Sequence, residues 1–133
     1  MTAQAPNSEP APTSKLLRMS IILSGLIGAA GVTLLALSAH ADSSGLLKTS
    51  AQMLLFHAPV LLGLGLLAQA RRVPFLPVVF LLMVGGIFLF SGDLIARVFV
   101  GGRLFAMAAP TGGMLIILGW IALALSAIRV HPK

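Results

Sequence analysis

Cysteine and tyrosine are absent from the 133-residue chain, tryptophan occurs once and acidic residues three times. Without cysteine there are no disulfides, thiolate metal sites or cysteine nucleophiles, and the redox compartment is left open. Charge is scarce as well: charged residues make up 9% of the chain and hydrophobic ones 58%, with mean hydropathy +1.04. Soluble domains carry about a quarter charged residues, so this chain cannot cover a water-facing surface. Its apolar residues come in long blocks, which makes it an integral membrane protein. A net charge of +6 would suggest nucleic acid in a soluble protein. Here the basic residues stand singly or in pairs between apolar blocks, as membrane-flanking charges do. No basic patch with interleaved aromatics exists, so nucleic acid is not an expected partner.

What is present organises into a polar tail and four apolar spans. Residues 1–14, MTAQAPNSEPAPTS, are rich in proline, alanine and serine and read as a disordered tail. The remainder, 15–133, reads as an all-α transmembrane four-helix bundle with spans near 17–39, 47–70, 73–98 and 105–128. The first span has a basic start and a small-x-small ending at Ala39-His40-Ala41, which resembles a signal peptide with its cleavage site. Its apolar run exceeds a signal core and reaches the about 20 residues that cross a bilayer, so a retained span is expected. Backbone polar groups in lipid pair within their own segment, which requires helix. The short connections make neighbouring spans antiparallel. With both termini cytoplasmic, the inner side holds Lys15, Arg18, Arg71, Arg72, Arg129 and Lys133, and the outer side Lys48, Arg97 and Arg103. The positive-inside rule favours that orientation.

The polar residues inside the spans form the candidate site: His40, His57, Asp93 and Thr111. At about 1.5 Å per residue, Asp93 lies about 30 Å beyond Val73, near the outer interface. Arg97, one turn further, suits an i,i+4 ion pair, with a functional acid as the alternative. His57 is deeper, about 9 Å down if the span starts at Ala51 and about 15 Å if it starts at Leu47. An intramembrane histidine is either a functional group or interhelical glue, and Pro59 frees a carbonyl nearby as one acceptor. His40 falls at the outer end of the first span, too far in depth from His57 for paired haem ligands. Thr111 is expected in the outer leaflet, where its hydroxyl approaches Asp93. Pro110 either starts the fourth helix or kinks it, and Gly112 and Gly113 allow close helix approach. Ser24, Gly25, Gly28 and Ala29, and Gly85 with Gly86, offer the same on the first and third spans. No nucleophile constellation, metal cluster or phosphate loop is present, so neither enzyme, metal nor cofactor is expected.

Ala39-His40, His57-Ala58, GGIFLFSGDL from Gly85 with its Ser91-Gly92 pair, and PTGGMLIILGW from Pro110 to Trp120 follow one another in order. This set resembles the small bacterial membrane proteins grouped as domain of unknown function 423. The resemblance covers nearly everything after the tail and implies a four-span, multi-pass bacterial inner-membrane protein, with no activity attached. Two functional expectations follow: a non-enzymatic bundle packing with itself or a larger membrane complex, or a small transporter or channel component with an outward-facing polar pocket.

Overall fold

A computed structural model describes residues 12–133. Four helices fill it: α1, Lys15–Ala41; α2, Leu46–Ala70; α3, Leu76–Phe99; and α4, Ala108–Ser126. All four are long and apolar enough to cross a membrane. The expected tail lies outside the described residues up to residue 11, and residues 12–14 lead into α1. The Ser14 hydroxyl caps α1 by accepting from the Leu17 amide at 3.1 Å, while the Ser14 amide donates to Gln69 Oε1 of α2 at 2.9 Å. Two ends differ from the expected spans. The third helix begins at Leu76, not near Val73, because Pro74 disfavours helix in the residue before it and Phe75 turns the chain with φ 60°. Pro77, in the first turn of α3, then costs no hydrogen bond. The fourth begins at Ala108, not near Phe105, after a loop in which the Leu104 amide donates to Asp93. Pro110 therefore sits in the first turn of α4 and starts the helix rather than kinking it.

α2 and α3 lie at the centre, with α1 packed along α2 and α4 along α3. The buried positions of α2 recur at heptad spacing: Leu47, Leu54 and Leu61; Ser50, His57 and Leu64; and Ala51, Ala58 and Gly65. That period is the signature of near-parallel helices whose side chains interlock along one seam. The Ala51-Ala58-Gly65 stripe faces α1. A Cβ built on Gly65 would stand 2.5 Å from Ser20 Cβ, and one on Gly31 would stand 2.7 Å from Leu55 Cγ. Gly28 meets Ala58, whereas Gly25, expected on the same face, has nothing near it. The α3–α4 contact is as close and meets backbone: a Cβ on Gly112 would lie 2.5 Å from the Phe90 backbone nitrogen. In lipid there is no hydrophobic drive between helices, so contacts at this range supply the attraction.

The ends of the bundle are built differently. Arg71–Arg72 (β1) pairs antiparallel with His131–Pro132 (β2), closing the end that carries both described termini. No periodicity in the sequence signals this ribbon. At the opposite end, the turn between α1 and α2 is organised by Asp42. Its Oδ1 accepts from the Ser44 hydroxyl and amide, and its Oδ2 from the Leu47 amide at 2.7 Å. The Ser44 hydroxyl, aided by the amides and opposed by desolvation, holds the Asp42 carboxyl below the usual carboxylate range. A lowered folded-state value means stability that is present above the unfolded value, about 3.9, and is lost as pH falls through the lower folded one. Protection of the amides from Ser44 to Thr49, relative to their intrinsic exchange rates, is thus expected to fall as pH drops below about 4. Asp42→Asn should remove that acid dependence; an unchanged dependence in the variant would assign it elsewhere.

Candidate functional site

His57 lies near the middle of α2, about 16 Å along from Leu46. The heptad seam puts it on the stripe facing α3 and α4, and it is 7% exposed. Trp120 Nε1 donates to His57 Nε2 at 3.3 Å. An indole N–H can only donate, so Nε2 is the unprotonated nitrogen and Nδ1 carries the hydrogen. Nδ1 donates to the Met53 carbonyl one turn back, at 2.9 Å. The acceptor is therefore Met53, not the carbonyl that Pro59 leaves free. Both ring nitrogens are engaged, and the tilted rings sit 6.0 Å apart. Trp120 is the sole tryptophan in a chain without tyrosine, so its fluorescence reads this contact directly. His57→Leu is expected to change the Trp120 emission, and a His57→Leu, Trp120→Phe double-mutant cycle to give a coupling of about 1 kcal/mol. Zero coupling would mean the bond contributes nothing.

Asp93 is fully buried, at 0% exposure, on the seam of α3. Arg97, one turn on, donates from Nη2 to Asp93 Oδ2. The Leu104 amide, from the α3–α4 connection, donates to Oδ1 at 2.9 Å. Arg103 donates to the Ala106 carbonyl and tightens the same loop. One carboxylate thus ties a helix, its own last turn and the following loop together. Asp93 sits about 9 Å before the end of α3, below a loop that folds back over it.

The four candidate residues do not converge. No hydrogen bond joins any two of His40, His57, Asp93 and Thr111 among the described residues. His40 is exposed near the end of α1, and Thr111 is exposed in the first turn of α4, with no hydrogen bond to the buried Asp93 among the described residues. Ser91 is buried, its carbonyl accepting from the Ser50 hydroxyl at 3.3 Å and its own Oγ unpartnered. With Gly92 it lines a groove of about 310 Å³ between α1 and α3. Among the described residues, no three of His, Asp and Glu gather as metal ligands would. The residue that sequence reasoning left without a role in the site is Trp120. Its indole sits level with His57 because α2 and α4 run the same way and both residues fall near mid-helix, which only the assembled bundle displays.

The family described as Protein of unknown function (DUF423) matches residues 27–113. The chain is similar to UPF0382 inner membrane protein YgdD of Escherichia coli (strain K12), 32% identical over 128 residues that cover 91% of this chain and 95% of the relative. The proteins of that name from Escherichia coli O157:H7 and Shigella flexneri match at the same 32% identity and coverage. No solved structure matches.

Proposed function

The chain belongs to the DUF423 family of multi-pass inner-membrane proteins, and from that premise we propose that it is a non-enzymatic helix-packing module that associates with a second copy of itself. The observation behind this reading is how α1 divides its small residues. Ser20, Gly28 and Gly31 are consumed against α2, while Gly25 and Ala29 are exposed, four apart on the outward face. Only 17% of the most apolar stretch of α1 is buried within the chain, against 44% for α3. An unused small-xxx-small pair on an edge helix suits close approach of another helix. The orientation proposed with it, both termini cytoplasmic, draws on six basic residues and no described acid at the terminal end.

Polar groups support the same reading over a transporter. A transport pathway uses polar residues through the midplane. The one histidine at that depth has both nitrogens bonded, and Asp93 is bonded at both oxygens. The cysteine-free background allows a direct test with single cysteines at Ala29, Gln52 and Ala58. Oxidation is expected to link Ala29→Cys copies to each other, and an impermeant maleimide to label Gln52→Cys but not Ala58→Cys. Labelling beside His57 at Ala58, without Ala29 links, would replace this reading with the transporter.

A further inference from the structure

The end of the bundle that carries both described termini concentrates positive charge with no acid beside it among the described residues. Arg71, Arg72, Arg129 and Lys133 surround a groove of about 500 Å³, with His131 beside them. Asp42 and Asp93, the described acids, both stand at the opposite end, and the ion pair among the described residues is Arg97–Asp93. Lys133 is committed: its ammonium donates to the Ala68 and Gln69 carbonyls and caps the last turn of α2. The guanidinium groups of Arg71, Arg72 and Arg129 have no hydrogen-bond or ion-pair partner among the described residues. The β1–β2 ribbon makes Arg72 and His131 direct cross-strand partners, so their side chains leave on one face. A groove lined by three arginines, with no described acid among its lining residues, is complementary to an anion.

The floor of the groove is apolar: Leu16 of α1, Val73 in the turn and Leu76 of α3. A free phosphate ion would gain nothing from such a floor. An amphiphile would, with its charged head on the arginines and its hydrocarbon over the leucines. The groove also lies where the helices end, which is the depth of lipid headgroups. We propose that this groove binds the phosphate headgroup of an anionic phospholipid, with Arg71, Arg72 and Arg129 on the phosphate oxygens and Leu16 and Leu76 beneath the first acyl methylenes. Three uncommitted guanidinium groups favour a headgroup with two phosphates over one with a single phosphate, and either over a zwitterionic lipid. Arginine is suited to this by its planar, two-pronged donors.

Native mass spectrometry of the full chain released from nanodiscs tests the site. The discs would hold phosphatidylcholine alone, or phosphatidylcholine with phosphatidylglycerol or cardiolipin. Retained lipid is expected in the order cardiolipin, phosphatidylglycerol, phosphatidylcholine. Each Arg→Gln change at 71, 72 or 129 should reduce retention of the anionic lipids about fivefold, while Lys48→Gln at the other end leaves it unchanged. The triple Arg→Lys variant keeps the charge and should hold part of the lipid, which separates loss of binding from loss of fold. Equal retention by the Arg→Gln variants, or no preference for anionic headgroups, would overturn the proposal. So would thermal stabilisation of the detergent-solubilised protein by inorganic phosphate equal to that by anionic lipid, since it would assign the site to a free anion.

Discussion

Gly112→Ala is expected to destabilise the bundle by about 1–3 kcal/mol or more, while Gly113→Ala, one residue on, is close to neutral. The new Cβ at Gly112 would meet the Phe90 nitrogen at 2.5 Å, the Gly86 carbonyl oxygen at 2.8 Å and Phe90 Cα at 2.9 Å. These are backbone atoms, so no rotamer change relieves the overlap and α4 must move off α3. At Gly113 the nearest atom is Phe90 Cδ2 at 3.9 Å, ordinary contact. The third helix repeats the contrast. A Cβ on Gly86 would stand 2.7 Å from both the Gly112 oxygen and Ile116 Cγ1, whereas Gly85 faces open space. Gly85→Ala should therefore be neutral or stabilising by up to about 1 kcal/mol through helix propensity. Thermal unfolding of these three variants and Gly86→Ala in one detergent makes the comparison. Equal losses for both members of a pair would mean that the crossing does not depend on glycine.

Those doublets show how far the sequence could be read. Four helices in lipid were legible because uninterrupted apolar runs near bilayer length admit no other backbone. Close helix approach was legible too, since Gly85-Gly86 and Gly112-Gly113 have no other evident use. Which member of each doublet faces the partner was not, because adjacent residues differ by about 100° around the axis and nothing local fixes the rotation. On α1 the same ambiguity placed Gly25 with Gly28, although they face different ways. The Ala51-Ala58-Gly65 stripe was present in the sequence all along. Its strict spacing of seven is the signal that would have identified the face of α2 that meets α1.

The candidate site was legible only in part, for a related reason. Asp93 and Arg97 share one helix, so their pairing follows from i,i+4 geometry. The third member, the Leu104 amide, comes from a loop whose path no periodicity describes. His57 was singled out by depth, but its partner depends on two helices separated in sequence by the whole of α3. Helix ends failed where local chemistry overrode the apolar run, as where Pro74 and the left-handed Phe75 delayed α3. The basic ribbon at the terminal end could not be anticipated, since pairs of two residues carry no strand signal.

Asp93→Leu is expected to be among the most damaging single substitutions, worse than Asp93→Asn, with Arg97→Leu damaging as well because it leaves the fully buried carboxylate without its countercharge. Removing the carboxylate strands a guanidinium that is only 23% exposed, and its Nε is already buried without a partner. Leaving one member of a buried pair unmatched costs far more than removing both. The Leu104 amide would lose its acceptor at the same time, so the loop over the end of α3 should loosen together with the helix. Asparagine keeps a carbonyl oxygen for that amide and loses only the charge, which places it between the wild type and leucine. The double variant Asp93→Leu, Arg97→Leu is then expected to recover part of the loss, because no uncompensated charge remains, but not all of it, because Leu104 still lacks its partner. Unfolding temperatures of the four variants in one detergent, with hydrogen exchange at Leu104, separate the two contributions. Full recovery in the double variant would confine the role of Asp93 to neutralising Arg97. No recovery would mean that the bond to the Leu104 amide matters more than the ion pair, and an Asp93→Leu protein as stable as the wild type would show that the carboxylate holds neither.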